Sequence, residues 1–157
     1  MTISQVNTSS SGASGCQTAI QVYGPYDPEV TVFANNNNAT TGYSGFDSTI
    51  CAITSNQRSV WYHITPVVGV QMYITTCNPA TNFDTVISLV SGSSCSALNC
   101  NAHNDDGCTY YRTTASSVSF IPTSNSYYVI VSGLTVPMSE LLSFLSSNKS
   151  SRCSEYQ

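Results

Sequence analysis

Seven cysteines punctuate a chain of 157 residues in which only 8% of side chains are charged. Thiols at that density, in a chain with few ion pairs to draw on, read as crosslinks made in an oxidising compartment. An odd count leaves one over, and Cys153, in a tail of different composition, is the natural remainder. The other six, Cys16, Cys51, Cys77, Cys95, Cys100 and Cys108, leave many connectivities open. Nearness along a plausible strand order favours Cys16–Cys51, Cys77–Cys108 and Cys95–Cys100.

Charge narrows the function classes. Four Lys and Arg against eight Asp and Glu give a net charge of −4. Too few cations are present to neutralise several phosphates, so binding of nucleic acid or an anionic membrane through a basic field is excluded. No apolar run approaches the ~20 residues of a membrane span. Met1 to Gln5 has neither the basic start nor the apolar stretch of a signal peptide, so we expect a fragment of a longer secreted protein.

Periodicity points to sheet throughout the informative half. Val60, Tyr62 and Ile64 share one face, with Trp61 and His63 opposite; Val70, Met72 and Ile74 line the next segment. Residues 85–90 are almost continuously apolar, as in a strand covered on both faces. Val118 and Phe120 alternate again, and Tyr127–Val131 closes the series. Val30–Phe33 is a shorter strand ended by the Asn35–Asn38 run, which favours turns. Strands of period two, separated by turns rich in Gly, Ser, Asn and Pro, predict an all-β, antiparallel β-sandwich of jelly-roll type. It is stapled by disulfides and carries a disordered N-terminal lead-in and C-terminal tail. We divide the chain into a flexible lead-in over 1–15, a sandwich module over 16–136, and a short helix-like stretch with a polar tail over 137–157. Ser139 would cap that helix.

The order of these pieces resembles a known family. Ser59-Val60-Trp61-Tyr62 opens a strand, Thr76-Cys77 ends the next, and Phe83-Asp84-Thr85-Val86-Ile87-Ser88-Leu89 follows. Then come Ser91-Gly92, Cys95, Leu98, Cys100, Asn104-Asp105-Asp106 with Cys108, and Tyr127-Tyr128-Val129-Ile130-Val131-Ser132-Gly133. Residues 59–133 are similar to the pre-peptidase C-terminal-like (PPC-like) modules of secreted and surface proteins, and Cys16 to Cys51 to their looser opening. The resemblance implies a β-sandwich that accompanies proteases, adhesins and other multidomain extracellular chains. In such modules a last strand of alternating apolar residues follows a Gly-rich turn. Here the helix-like stretch stands in its place, so that strand is expected to be missing and a neighbour's edge open.

Candidate chemistry is sparse. Asp84, Asn104, Asp105 and Asp106 would offer oxygen ligands for Ca²⁺ if the sandwich gathers them; the competing reading makes Asp106-Gly107 a plain hairpin turn. Cys95, Cys100, His103 and Cys108 permit a zinc reading, but the Cys-x4-Cys-x2-His-x4-Cys spacing fits a compact knuckle poorly, and disulfides are preferred. His63 and His103 are the two histidines. Gly-x-Ser-x-Gly, His-Glu-x-x-His and the phosphate-cradling Gly-x-x-x-x-Gly-Lys are absent, and adjacent Asp105 and Asp106 do not suit a glycosidase pair. His103 beside Asp105 would be the dyad of a small secreted hydrolase, with no nucleophile in view. Tyr23, Tyr26, Tyr43, Tyr110 and Tyr111 lie in expected loops or strand ends. Trp61, Tyr110 and Tyr111 are the candidates for stacking on a glycan or anchoring a partner, while Tyr62 and Tyr128 go to the core. The resulting expectation is a non-catalytic extracellular accessory or adhesion module, calcium-assisted, contacting protein or glycan at the cell surface or neighbouring domains of its own chain. A carbohydrate-binding module using loop tyrosines is the alternative.

Overall fold

The computed structural model describes residues 3–5, 15–24, 26, 30–35, 39, 51, 57–110, 113–133 and 139–146. They form ten strands: β1 (Ile3–Gln5), β2 (Ile20–Val22), β3 (Val30–Asn35), β4 (Arg58–Ile64), β5 (Met72–Thr75), β6 (Val86–Ser91), β7 (Asn99–Asp105), β8 (Ser117–Phe120), β9 (Tyr127–Gly133) and β10 (Ser139–Ser146). A 3-10 turn, Cys16–Thr18, precedes β2. Two five-stranded sheets result, ordered β1-β3-β10-β5-β8 and β2-β4-β9-β6-β7. All pairings are antiparallel except β1 with β3 and β2 with β4. The antiparallel β-sandwich read from the sequence is the fold of this chain.

The period-two reading places the main core. Val60, Tyr62 and Ile64 of β4, Ile87 and Leu89 of β6, and Val129 and Val131 of β9 face Val30 and Val32 of β3, Ile74 of β5 and Phe144 of β10. Each such side chain taken from water contributes roughly 1.5–3 kcal/mol before entropy is counted. β6 is buried on both faces because its outward residues, Ser88 and Val90, are covered as well.

That outward cover corrects the reading of Trp61. It does point away from the main core, yet it is only 1% exposed. Cys51, Val90, Leu98 and Ile130 close around it, with Cys16, Ala19 and Tyr128 at the rim. Alternation fixes which face a residue occupies, and says nothing of what later covers that face. Tyr128 is correspondingly half-buried in this outer cluster, whereas Tyr62 is in the main core as expected.

The stretch read as helix-like is a strand. β10 lies between β3 and β5, pairing Leu142 with Val32 and Phe144 with both Val30 and Ile74. Leu142 and Phe144, two apart, both reach the core. A helix there would leave the facing edges of β3 and β5 with unpaired N–H and C=O groups, a cost the strand removes. The last strand is therefore present and the expected open edge is filled. Of the lead-in, Ile3–Gln5 lies beside β3.

Two of the three preferred bridges are replaced. The structure joins Cys16–Cys95, Cys51–Cys100 and Cys77–Cys108, with Cα separations of 5.6, 5.2 and 5.7 Å; only the last was expected. The cause is a register irregularity in β7. Leu89 pairs with Ala102 and Val90 with Cys100, which leaves Asn101 as an extra residue. The bulge turns Cys100 to the outer face beside Val90, where Cys51 meets it, instead of toward Cys95 in the preceding connection. Cys51 takes φ +67°, a left-handed conformation costing roughly 1–2 kcal/mol for a residue with a Cβ. Its carbonyl accepts a 2.7 Å bond from the Ser88 hydroxyl. Cys153 lies outside the described residues.

Candidate functional site

Antiparallel register sorts the connections to two ends. At one end Val86 pairs with Asp105 and with Ser132, Arg58 with Gly133, and Thr75 with Ser117. At this end the residues before β6 meet those after β7. Asp84, two positions ahead of Val86, is thus brought to Asp105 and Asp106. One carboxylate oxygen from each of the three lies within 4.8 Å of the others, all three residues being exposed.

The backbone holding them is tightly built. Phe83 is buried in the main core and Thr85 is fully buried on the other side of Asp84. The Thr85 N–H donates to the Thr114 carbonyl at 3.0 Å. The Thr76 and Thr85 hydroxyls lie 2.7 Å apart, and the Ser116 hydroxyl donates to the Thr85 carbonyl. Gly133 permits this approach, since a Cβ there would stand 2.6 Å from the Asp84 carbonyl oxygen and equally close to the Phe83 ring. The Cys77–Cys108 bridge, buried with Ala115, ties together the two connections that carry the carboxylates.

Partial burial, then repulsion from Asp105 and Asp106, raises the Asp84 carboxyl above its ordinary value. Three mutually repelling hard oxygens are the donor chemistry of Ca²⁺, which takes six to eight oxygens and accepts carboxylates, carbonyls and waters together. Asn104 precedes Asp105 on β7. Its side-chain oxygen accepts the Ser117 N–H at 2.9 Å, joining β7 to β8 across the sandwich. Gly107 leaves room for that contact: a Cβ would overlap the Asn104 side-chain oxygen. Asp106 adopts φ +61°, but β7 and β8 belong to different sheets, so Asp106-Gly107 is a crossing between layers and not a hairpin turn.

The remaining candidates are dispersed. The three sulfurs of the zinc reading belong to three separate bridges and offer no thiolate. His103 and Asp105 are both exposed, and among the described residues no hydrogen bond joins them. Trp61 is closed off from solvent, so it is not a stacking surface. Tyr110 is 64% exposed, in the connection that follows Asp106. Tyr111 and Tyr43 lie outside the described residues. Tyr26 is buried, its hydroxyl donating to the Val22 carbonyl at 2.8 Å and accepting the Thr65 N–H at 3.1 Å.

One constellation had no signal in the sequence. At the opposite end, His63 Nδ1 lies 2.7 Å from the Gln21 side-chain oxygen and Nε2 lies 2.9 Å from the Ser126 hydroxyl. An amide oxygen only accepts, so Nδ1 carries the proton and Nε2 receives the Ser126 O–H. The ring packs on Tyr128 at 4.8 Å, and burial lowers its pKa. Gln21 and Ser126 are far from His63 along the chain, so no local motif marks them.

No protein-family model matches the chain, and no curated protein matches it.

Proposed function

We propose that the chain is an extracellular accessory or adhesion module of a larger secreted or surface protein, with Asp84, Asp105 and Asp106 holding a calcium ion that stiffens the end presented to a protein or glycan. The observation that carries this reading is the convergence of three exposed carboxylates on rigid, bridge-tied connections of a disulfide-rich sandwich. The similarity of residues 59–133 to PPC-like modules supports the same role. Among the described residues no helix is long and apolar enough to cross a membrane, which says nothing of strands. The test is thermal unfolding in millimolar calcium against chelator. Calcium raises the melting temperature of the native protein by several degrees and leaves an Asp105→Asn variant unmoved; coincident curves for the native protein would reject the metal.

The glycan alternative retains Tyr110 as its exposed ring, at the same end as the carboxylates. A glycan-array signal lost in Tyr110→Ala would favour it. The hydrolase alternative is served better by Ser126–His63–Gln21 than by His103, because among the described residues it is there that a hydroxyl, an imidazole and an orienting group meet within hydrogen-bond reach. A fluorophosphonate probe that labels Ser126 in the native chain but not in His63→Ala would favour that reading.

A further inference from the structure

We propose that the Cys51–Cys100 bridge is a reductant-labile latch, which a dithiol opens before the other two and whose opening uncovers the Trp61 face while the sandwich stays folded. The three bridges stand in different surroundings. Cys77 and Cys108 are both buried and shut in with Ala115. Cys16 and Cys95 are half-buried. Cys100 is exposed on β7, the edge strand of its sheet, while its partner Cys51 is buried, so it is the Cys100 side of the bridge that faces an incoming thiolate.

Cys51 supplies the second reason. Its left-handed backbone is held in place by the bridge on one side and the Ser88 hydroxyl on its carbonyl on the other. Cutting the bridge removes one constraint and lets φ relax, so the reduced form is favoured over that of an unstrained, enclosed bridge. The third reason is what Cys51 covers. It packs on Trp61 together with Val90, Leu98 and Ile130, none of which belongs to the inter-sheet core. Release of this lid therefore bares an apolar, aromatic patch and leaves the main core closed. Cys16–Cys95 keeps the first turn docked on the same face.

The chemistry is ordinary thiol–disulfide exchange. A thiolate of the dithiol attacks the Cys100 sulfur, the bridge breaks, and its electron pair leaves on the Cys51 sulfur, which takes a proton. The reductant's second thiol, giving up its proton, attacks the mixed disulfide and expels Cys100 as a thiolate that is protonated in turn. Two electrons pass to the protein, and the dithiol ends as its own disulfide.

The experiment is graded dithiothreitol on the native protein, with alkylation, peptide mass mapping, acrylamide quenching of the single tryptophan, and circular dichroism in parallel. Cys51 and Cys100 should be alkylated about tenfold faster than Cys77 and Cys108, with quenching of Trp61 rising about threefold at that step and the sheet signal retained. A Cys51→Ser, Cys100→Ser double variant should show the raised quenching with no reductant; if it fails to fold, the graded series decides alone. Earlier opening of either other bridge, unchanged quenching, or loss of the sheet signal with the first bridge would each overturn the proposal.

Discussion

At the scale of single residues, Trp61 and Asp84 illustrate opposite uses of burial. Trp61 fills the outer cluster and meets Tyr128 edge-on, with ring centroids 6.2 Å apart. Truncation removes its transfer energy and leaves a cavity, so Trp61→Ala should cost about 3–5 kcal/mol in denaturant unfolding. A loss below about 1 kcal/mol would mean that the outer cover is loose. Asp84 keeps its carboxylate at the surface, where burial and two neighbouring charges raise its pKa. The folded chain holds that proton more tightly than the unfolded chain does. The group's contribution to stability is therefore full below the ordinary carboxyl range and is lost as pH rises through the raised folded value. Without metal, Asp84→Asn should raise the melting temperature by about 1–3 °C at neutral pH, with the gain fading on acidification. A gain that persists unchanged in acid would assign the effect to something other than charge. For His63 the sign is reversed. Burial lowers its pKa, so its contribution is present above the ordinary imidazole value and is lost as pH falls through the folded one.

At the scale of elements, β10 completes the sheet it enters. Leu142 and Phe144 are fully buried, and the strand between them and its neighbours hydrogen-bonds on both sides. Phe144→Ala should cost about 3–5 kcal/mol, and removal of residues from 139 onward should yield a chain that aggregates through the exposed edges of β3 and β5. A soluble, sheet-rich truncation would contradict the placement of β10. The strands β4, β5, β6, β8 and β9 were legible because period two is decided locally, one face wet or covered at a time; β7, almost wholly exposed or half-buried, was not read as a strand. β10 was not, because Ser139-Glu140-Leu141-Leu142-Ser143-Phe144-Leu145 satisfies helix and strand patterns alike, and only the gap between β3 and β5 decides between them. The bridges were hidden for a related reason: the extra residue at Asn101 reverses the facing of Cys100, and no residue type in that stretch announces a bulge. The carboxylate cluster was legible in part. Asp105 and Asp106 are adjacent in sequence, and the register of β6 on β7 brings Asp84 to them.

At the scale of the molecule, the two ends of the sandwich differ in character. One carries Asp84, Asp105, Asp106 and, further along the same connection, the exposed Tyr110. The other gathers Tyr23, Val67, Val68 and Ile121, all exposed, with the 65–71 connection tied to the 121–126 connection by the Gly69 N–H on the Pro122 carbonyl at 2.9 Å. Between them, bridges hold the first turn and Cys51 over the outer face of one sheet, and hold together the two connections that bear the carboxylates. The proposed function depends on that crosslinking, since few ion pairs are available to fix the carboxylates in its place. Peptide mapping of the non-reduced protein tests this directly. The account predicts linked peptides for Cys16 with Cys95, Cys51 with Cys100, and Cys77 with Cys108. A Cys95–Cys100 link, or mostly free thiols in freshly purified protein, would contradict it.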